Sequence, residues 1–204
     1  MSGDIKVLLF DVGGVLLSNG WDRSMRQKGA ATFDLDWEEF EDRHELVLDG
    51  FETGRLSLDD YLTRTVFYRE RSFTSEDFID FMKDRSQPYP ASLDLARRLA
   101  ESGRYLLATL NNESRELNEH RIATFDLADY FSVFLSSCYL GVRKPDEEVF
   151  RLALDITQHR PEECLFIDDR AVNLECASLV GIPTIQFHDA VQLKNNLEDR
   201  GVHV

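Results

Sequence analysis

The chain has 204 residues, 43% of them hydrophobic, enough to bury one core of ordinary size and consistent with one domain or one domain carrying an insertion. A formal charge of -15 and a pI near 4.7 argue against nucleic acid or an anionic membrane as the main partner, because such a surface repels phosphate at long range. A phosphorylated ligand therefore has to be held by local positive charge. No apolar run reaches the roughly 18 residues that a spanning helix needs, and the first apolar run is interrupted by Asp11, so neither a membrane span nor a signal peptide is expected and the location implied is cytoplasmic. Cys138, Cys164 and Cys176 show no Cys-x-x-Cys spacing and read as buried, reduced packing residues. The five histidines form no His-x-x-x-His pair, which leaves a zinc site without support.

The first element is a strand within the stretch from Lys6 to Val15, apolar enough to be buried on both faces. Asp11 ends it, and Val12-Gly13-Gly14 turns the chain at the sheet edge where open α/β folds bind ligands. From about Trp21 to Arg85 the pattern is helical, aromatic inside and polar outside. Trp37, Phe40 and His44 share one helix face; Leu58, Tyr61, Leu62, Thr65 and Val66 share another, capped by Ser57; Phe78, Phe81 and Met82 follow Thr74-Ser75. Beyond Pro88 and Pro90, strands and helices alternate. The expected units are a helix at Ala91–Glu101, a strand at Tyr105–Leu110, a helix at Glu113–Phe125 and a short strand at Val133–Leu135. Lys144-Pro145-Asp146 then opens a helix, with Pro145 placed in its first turn. A strand at Cys164–Ile167 runs into Asp168 and Asp169, and a helix at Asn173–Leu179, a strand at Thr184–Phe187 and a helix at Val191–Arg200 complete the chain. This alternation calls for α/β architecture, a doubly wound parallel sheet with a small all-α insertion: residues 1–16 and 87–204 as the core, 17–86 as the insert.

Parallel strands bring their carboxyl ends to one edge, so Asp11, Asn111, Lys144 and the Asp168-Asp169 pair are expected to converge there. Two carboxylates with a backbone carbonyl from the glycine turn are hard oxygen ligands of the kind Mg²⁺ prefers, leaving positions that a phosphate can take. Asp11 is then placed to attack phosphorus while the cation and Lys144 neutralise charge on the transferring group.

Phe-Asp-Val-Gly-Gly-Val-Leu, the strand end at Asn111, Gly-Val-Arg-Lys-Pro-Asp and Leu-Phe-Ile-Asp-Asp-Arg-Ala-Val-Asn resemble the four ordered motifs of the haloacid dehalogenase-like hydrolases, over the whole chain. The closer resemblance is to the branch with a small helical cap after the first motif, which includes sugar-phosphate phosphatases and 2-haloacid dehalogenases. It implies a Rossmann-like core and a Mg²⁺-dependent phosphatase acting on a small phosphorylated metabolite through an aspartyl-phosphate. By this resemblance Asp11 is the nucleophile, and Asp11, the Gly13 carbonyl and Asp169 hold the metal. Lys144 balances charge and binds the phosphoryl group with Asn111 and Asn112. Asp168 is by the same resemblance a second-layer or water-mediated partner of the metal; Asn173, about one helical turn after the acidic pair, is placed by its spacing to orient that loop through hydrogen bonds.

Two departures bear on activity. Phosphatases of the family usually carry a second aspartate two positions after the nucleophile, for proton transfer to the leaving group; here that position is Gly13. Asp22 is the cap carboxylate considered as its replacement. At the usual Ser or Thr of the second motif stands Asn111, whose amide can still donate to a phosphoryl oxygen. A weakly active or non-catalytic phosphate-ligand binding protein is the first alternative. A metal-independent 2-haloacid dehalogenase is a second, weakened because Gly13 replaces that group's aromatic residue. Trp21, with Asn19 and Arg23, lies where the chain leaves the nucleophile loop and reads as hinge, packing or substrate contact. His44 and His120 read as packing or surface residues, and Glu38–Asp42 as a solvated face.

Overall fold

The computed structural model describes residues 4–203, and every named strand in it belongs to one parallel sheet. In chain order the elements are β1 (Val7–Phe10), α1 (Arg23–Thr32), α2 (Trp37–Glu52), α3 (Leu58–Thr65), α4 (Ser75–Lys83), α5 (Pro90–Glu101), β2 (Leu106–Asn111), α6 (Arg115–Thr124), β3 (Val133–Ser136), α7 (Ser137–Leu140), α8 (Glu147–Thr157), β4 (Cys164–Asp168), α9 (Ala171–Leu179), β5 (Thr184–Gln186) and α10 (Ala190–Glu198). The strand order is β3-β2-β1-β4-β5, so β1 sits at the centre and the chain winds outward from it in both directions. Registers Phe10↔Thr109, Phe10↔Ile167 and Asn111↔Ser136 align the carboxyl ends of the strands.

Alternation along β1 explains why helices cover both faces. Leu8 and Phe10 enter one core with Leu95, Leu99, Leu193 and Leu197 of α5 and α10. Val7 and Leu9 enter the other, with Val149, Phe150 and Ala153 of α8 and Leu174 and Ala177 of α9. The three cysteines are buried and free.

Helices α1–α4 enclose a third cluster around Trp21, Phe40, Tyr61, Phe78 and Met82, to which α6 of the sheet layer contributes Leu117. Reciprocal side-chain and backbone hydrogen bonds close capping boxes at Ser57/Asp60 and Thr74/Asp77 and start α3 and α4. The chain leaves the sheet and returns side by side: Ser18 N donates to Gln87 O at 2.8 Å and Tyr89 N to Leu16 O at 2.9 Å. Buried Arg121 braces both crossings, because its Nε donates to Ser86 Oγ at 2.9 Å and a Cβ at Gly20 would overlap its Nη2. At the far end of α2, Ser137 Oγ donates to Glu52 O at 2.6 Å, and a Cβ at Gly54 (φ +72°) would overlap Cys138 O, so this turn needs glycine.

The structure departs from the sequence expectations in a few places. Pro145 precedes the helix instead of lying in its first turn, because Asp146 is the N-cap of α8 and accepts from Glu148 N at 2.9 Å. The α9 helix begins at Ala171, which puts Asn173 in its first turn, and β2 extends through Asn111. The four-residue α7 had no sequence expectation. Among the described residues, no helix is long and apolar enough to cross a membrane.

Candidate active site

Backbone geometry sets Asp11 at the mouth of the sheet. Its N–H donates to Ile167 O at 2.8 Å, continuing the β1–β4 ladder, and Val12 N–H returns to Asp11 Oδ1 at 2.7 Å, fixing the carboxylate's rotation. The next residues fold back tightly, with Gly14 N donating to Leu17 O at 2.7 Å. Gly14 has φ +78°, and a Cβ there would overlap the Asp169 carboxylate, so glycine lets the two acidic loops approach.

Lys144 joins these loops. Its buried Nζ lies 2.9 Å from Asp11 Oδ2 and 2.6 Å from Asp168 Oδ2, above the face of Phe166 at 5.3 Å. Asn112 holds the lysine's backbone from both sides: Lys144 N donates to Asn112 Oδ1 and Asn112 Nδ2 to Lys144 O, each at 2.8 Å. Burial works to lower the Lys144 pKa, but Asp11 and Asp168 outweigh it and hold the pKa above the usual lysine range.

The two neighbouring aspartates have different surroundings. Asp168 is wholly buried and spends both oxygens: Oδ1 accepts from Arg170 N at 2.8 Å and Asn173 Nδ2 at 3.0 Å, and Oδ2 from Lys144 Nζ and, at 3.0 Å, from the same Asn173 amide. Asp169 is half-buried, and its Oδ1 is buried with no hydrogen-bond partner. Carboxylate oxygens of Asp11, Asp168 and Asp169 lie within 4.8 Å of one another. Three carboxylates against one lysine leave two negative charges in excess. Burial accordingly pushes the Asp11 carboxyl up to about 7, with Lys144 opposing and Asp168 reinforcing. Burial and the charge of Asp168 likewise raise Asp169. An unmet carboxylate oxygen beside two excess charges is a donor set that fits a divalent cation with hard oxygen preference, and Mg²⁺ is such an ion.

Above this cluster, between the sheet edge and α1 and α2, lies a cavity of about 450 Å³. Six cationic residues line it: Arg23, Arg26, Arg121, Arg143, Lys144 and Arg170. Six acids line it too, Asp11, Asp22, Glu41, Glu45, Glu52 and Glu113, and of the six cations Arg170 is the one with no described carboxylate within 4.0 Å, so it is the positive charge left to meet an anion. Asp11, Gly13, Asn112 and Asn173 line the same cavity.

Asn111 does not reach it. Its Nδ2 donates to Asn118 Oδ1 at 3.1 Å and its Oδ1 accepts from Ser136 Oγ at 3.0 Å, so the side chain belongs to a buried network with α6 and β3. Asp22 lines the cavity but caps α1, accepting from Met25 N at 2.8 Å. Trp21 takes the packing role, edge-on against Phe40, Phe78 and Phe81, and also lines the cavity.

The reading of Glu38–Asp42 as a solvated face fails at Glu41. That side chain is buried and paired bidentately with Arg26 (Nε–Oε2 2.8 Å, Nη2–Oε1 2.9 Å), with Arg23 at 2.7 Å. Its partner lies on the neighbouring helix, beyond what one helix's periodicity reveals. Two further cavity acids had no sequence signal. Glu52 pairs with Arg143 at 2.6 Å and is pushed up to about 7, mainly by burial; Glu113 pairs with Arg121 at 3.2 Å.

Comparison with known proteins agrees with this architecture. Flavin mononucleotide hydrolase 1 of Arabidopsis thaliana is 28% identical over 98% of this chain and 79% of its own length. Phosphoserine phosphatase of Thermus thermophilus is 32% identical over 52% of this chain and 43% of that enzyme. A HAD family enzyme from Bacteroides thetaiotaomicron superposes with a TM-score of 0.80 at 22% identity, over 92% of this chain and 95% of that one, and the same enzyme has been crystallised with magnesium and inorganic phosphate. Residues 5–181 match the family of hydrolases described as haloacid dehalogenase-like, and the chain belongs to that family.

Proposed function

We propose that the protein is a Mg²⁺-dependent phosphohydrolase acting on a small phosphorylated metabolite, with Asp11 as nucleophile and helices α1–α4 (within residues 17–86) as a cap over the site. One observation carries the reading: Asp11, Asp168 and Asp169 meet around Lys144 beneath a polar cavity in which Arg170 has no carboxylate partner. Supporting it, two relatives are named a flavin mononucleotide hydrolase and a phosphoserine phosphatase.

Asp11, Asp169 and the Gly13 carbonyl would hold the cation, which when bound supplies charge stabilisation for the transferring phosphoryl group. Asp11 attacks phosphorus in line with the ester oxygen; the P–O bond to the leaving group breaks and the aspartyl-phosphate forms. Lys144 neutralises negative charge on the phosphoryl oxygens throughout, and Asn112 keeps it in place through the two backbone hydrogen bonds. Asp168 and Asn173 fix the lysine from behind. Water then attacks phosphorus, the P–O bond to Asp11 breaks, and orthophosphate leaves with the carboxylate restored. Gly13 offers no carboxyl for proton transfer, so the leaving oxygen takes its proton from solvent and esters with good leaving groups are hydrolysed fastest.

The test is hydrolysis of p-nitrophenyl phosphate by wild type and Asp11→Asn, with Mg²⁺ and with chelator. Metal-dependent release that Asp11→Asn abolishes is the expected result. No release by folded wild type would favour the phosphate-binding alternative, and metal-independent release of halide from a 2-haloacid would favour dehalogenation.

A further inference from the structure

Arg170 stands apart from the other cations of the cavity. Glu41 engages Arg23 and Arg26, Glu113 engages Arg121, Glu52 engages Arg143, and Asp11 and Asp168 engage Lys144. Arg170 lines the same cavity, and among the described residues its guanidinium has neither a carboxylate nor a hydrogen-bond acceptor. Its main chain, by contrast, is held: the N–H donates to Asp168 Oδ1 at 2.8 Å and the carbonyl accepts from Asn173 N at 3.1 Å. Arg170 is also the N-cap residue of α9, where the positive end of the helix macrodipole adds to its own charge.

The position of this charge separates it from the reacting centre. Asp11 and Lys144 are buried at the cavity floor, whereas Arg170 is exposed. Burial raises the carboxyls of Asp169 and of Glu52, and Arg170 is among the cations that oppose the rise at both. Asp169 lies at the sheet edge and Glu52 at the end of α2, so the field of the guanidinium reaches both walls of the cavity. Lys144 and the bound cation balance the transferring phosphoryl group at the floor. In-line attack by Asp11 directs the ester oxygen, and the alcohol portion behind it, away from the floor into the 450 Å³ between those walls. A free guanidinium beside that space matches an oxyanion with two parallel N–H donors.

We propose that Arg170 is a specificity-determining residue that pairs with a second oxyanion, a carboxylate or a second phosphate, on the alcohol portion of the phosphomonoester. The inference rests on the phosphohydrolase reading and narrows its substrates to esters that carry two anionic groups. Such a ligand supplies the partner that the chain itself does not give Arg170.

The experiment uses pairs of esters that differ in the second anion: phosphoserine with phosphoethanolamine, 3-phosphoglycerate with glycerol 3-phosphate, and fructose 1,6-bisphosphate with fructose 6-phosphate. Each is measured as a competitor of p-nitrophenyl phosphate hydrolysis, with Mg²⁺ and the full chain, in wild type, Arg170→Gln and Arg170→Lys. Competition reports binding whether or not the ester itself is turned over. In wild type the member with the second anion should bind about tenfold or more tighter in at least one pair, the scale of a bidentate, charge-assisted contact. The first two pairs identify a carboxylate as the second anion, the third a phosphate. Arg170→Gln should reduce that ratio about tenfold, and Arg170→Lys, which keeps the charge and loses the fork, should reduce it less. No preference within any pair in wild type would overturn the proposal. So would an unchanged ratio in Arg170→Gln, including equal weakening of both members, which is the result expected of a residue that meets only the transferring phosphate. Failure of folded wild type to hydrolyse p-nitrophenyl phosphate would overturn the phosphohydrolase reading instead.

Discussion

Lys144 Nζ sits 2.6 Å from Asp168 Oδ2 and 2.9 Å from Asp11 Oδ2, so one buried ammonium compensates two carboxylates that strand ends from distant parts of the sequence bring together. Its removal leaves buried charges without a partner, a change that costs about 3 kcal/mol or more. Lys144→Met is expected to lower stability by about that amount in urea unfolding. Lys144→Met with Asp168→Asn should recover part of the loss, because one of the stranded charges is gone; equal instability of the single and double variants would contradict the pairing.

Gly14 is the point where the nucleophile loop and the acidic loop touch. Gly14→Ala would strain a left-handed backbone and displace the Asp169 carboxylate. Mg²⁺ affinity measured by titration calorimetry should fall roughly tenfold or more, the usual scale for disturbing the support of a metal ligand. An unchanged affinity would remove Asp169 from the ligand set.

Gly13 has ordinary backbone geometry, and a Cβ there would meet Asn19 Oδ1 at 3.3 Å and Arg121 Nη1 at 3.6 Å, so a side chain fits after a small adjustment. Gly13→Asp restores a carboxyl where the family usually carries one. Turnover of phenyl phosphate should rise by about 10²-fold, the low end of general acid–base contributions, with a smaller gain on p-nitrophenyl phosphate, whose leaving group needs less help. A uniform gain on both esters would point to a cause other than proton transfer.

His44, buried on α2, links stability to pH. Its folded pKa near 3 lies below the unfolded value of 6.5, so between these pH values the unfolded chain binds the extra proton. The contribution of His44 is fully present above pH 6.5 and is lost at roughly 1.4 kcal/mol per pH unit as the pH falls toward 3. His44→Gln should flatten the stability profile in that window, measured by urea midpoints at pH 7, 6 and 5.

Much of this was legible because it follows from local chemistry. Four-residue apolar runs such as Val7–Phe10, ended by carboxylates and followed by amphipathic helices, specify buried parallel strands with a polar edge. The cap at Ser57 falls where the sequence placed it, and the next helix follows Thr74-Ser75 as read, with Thr74 as its cap. Features set by tertiary contact were not legible. Glu41 reads as a surface acid on its own helix and is buried only because Arg26 faces it. Asn111 stands at the expected strand end, yet Asn118 and Ser136 turn its amide away from the cavity. His44 reads as packing or surface, and only its neighbours decide between the two: it is buried, with Nδ1 2.9 Å from Tyr61 Oη.

The central claim, covalent chemistry at Asp11, is tested most directly by quenching wild type during Mg²⁺-supported turnover of p-nitrophenyl phosphate and reducing the quenched protein with borohydride. An acyl phosphate is reduced to the alcohol, so peptide mapping should find homoserine at position 11 and nowhere else. Turnover with position 11 unmodified, or reduction at a different carboxylate, would contradict it.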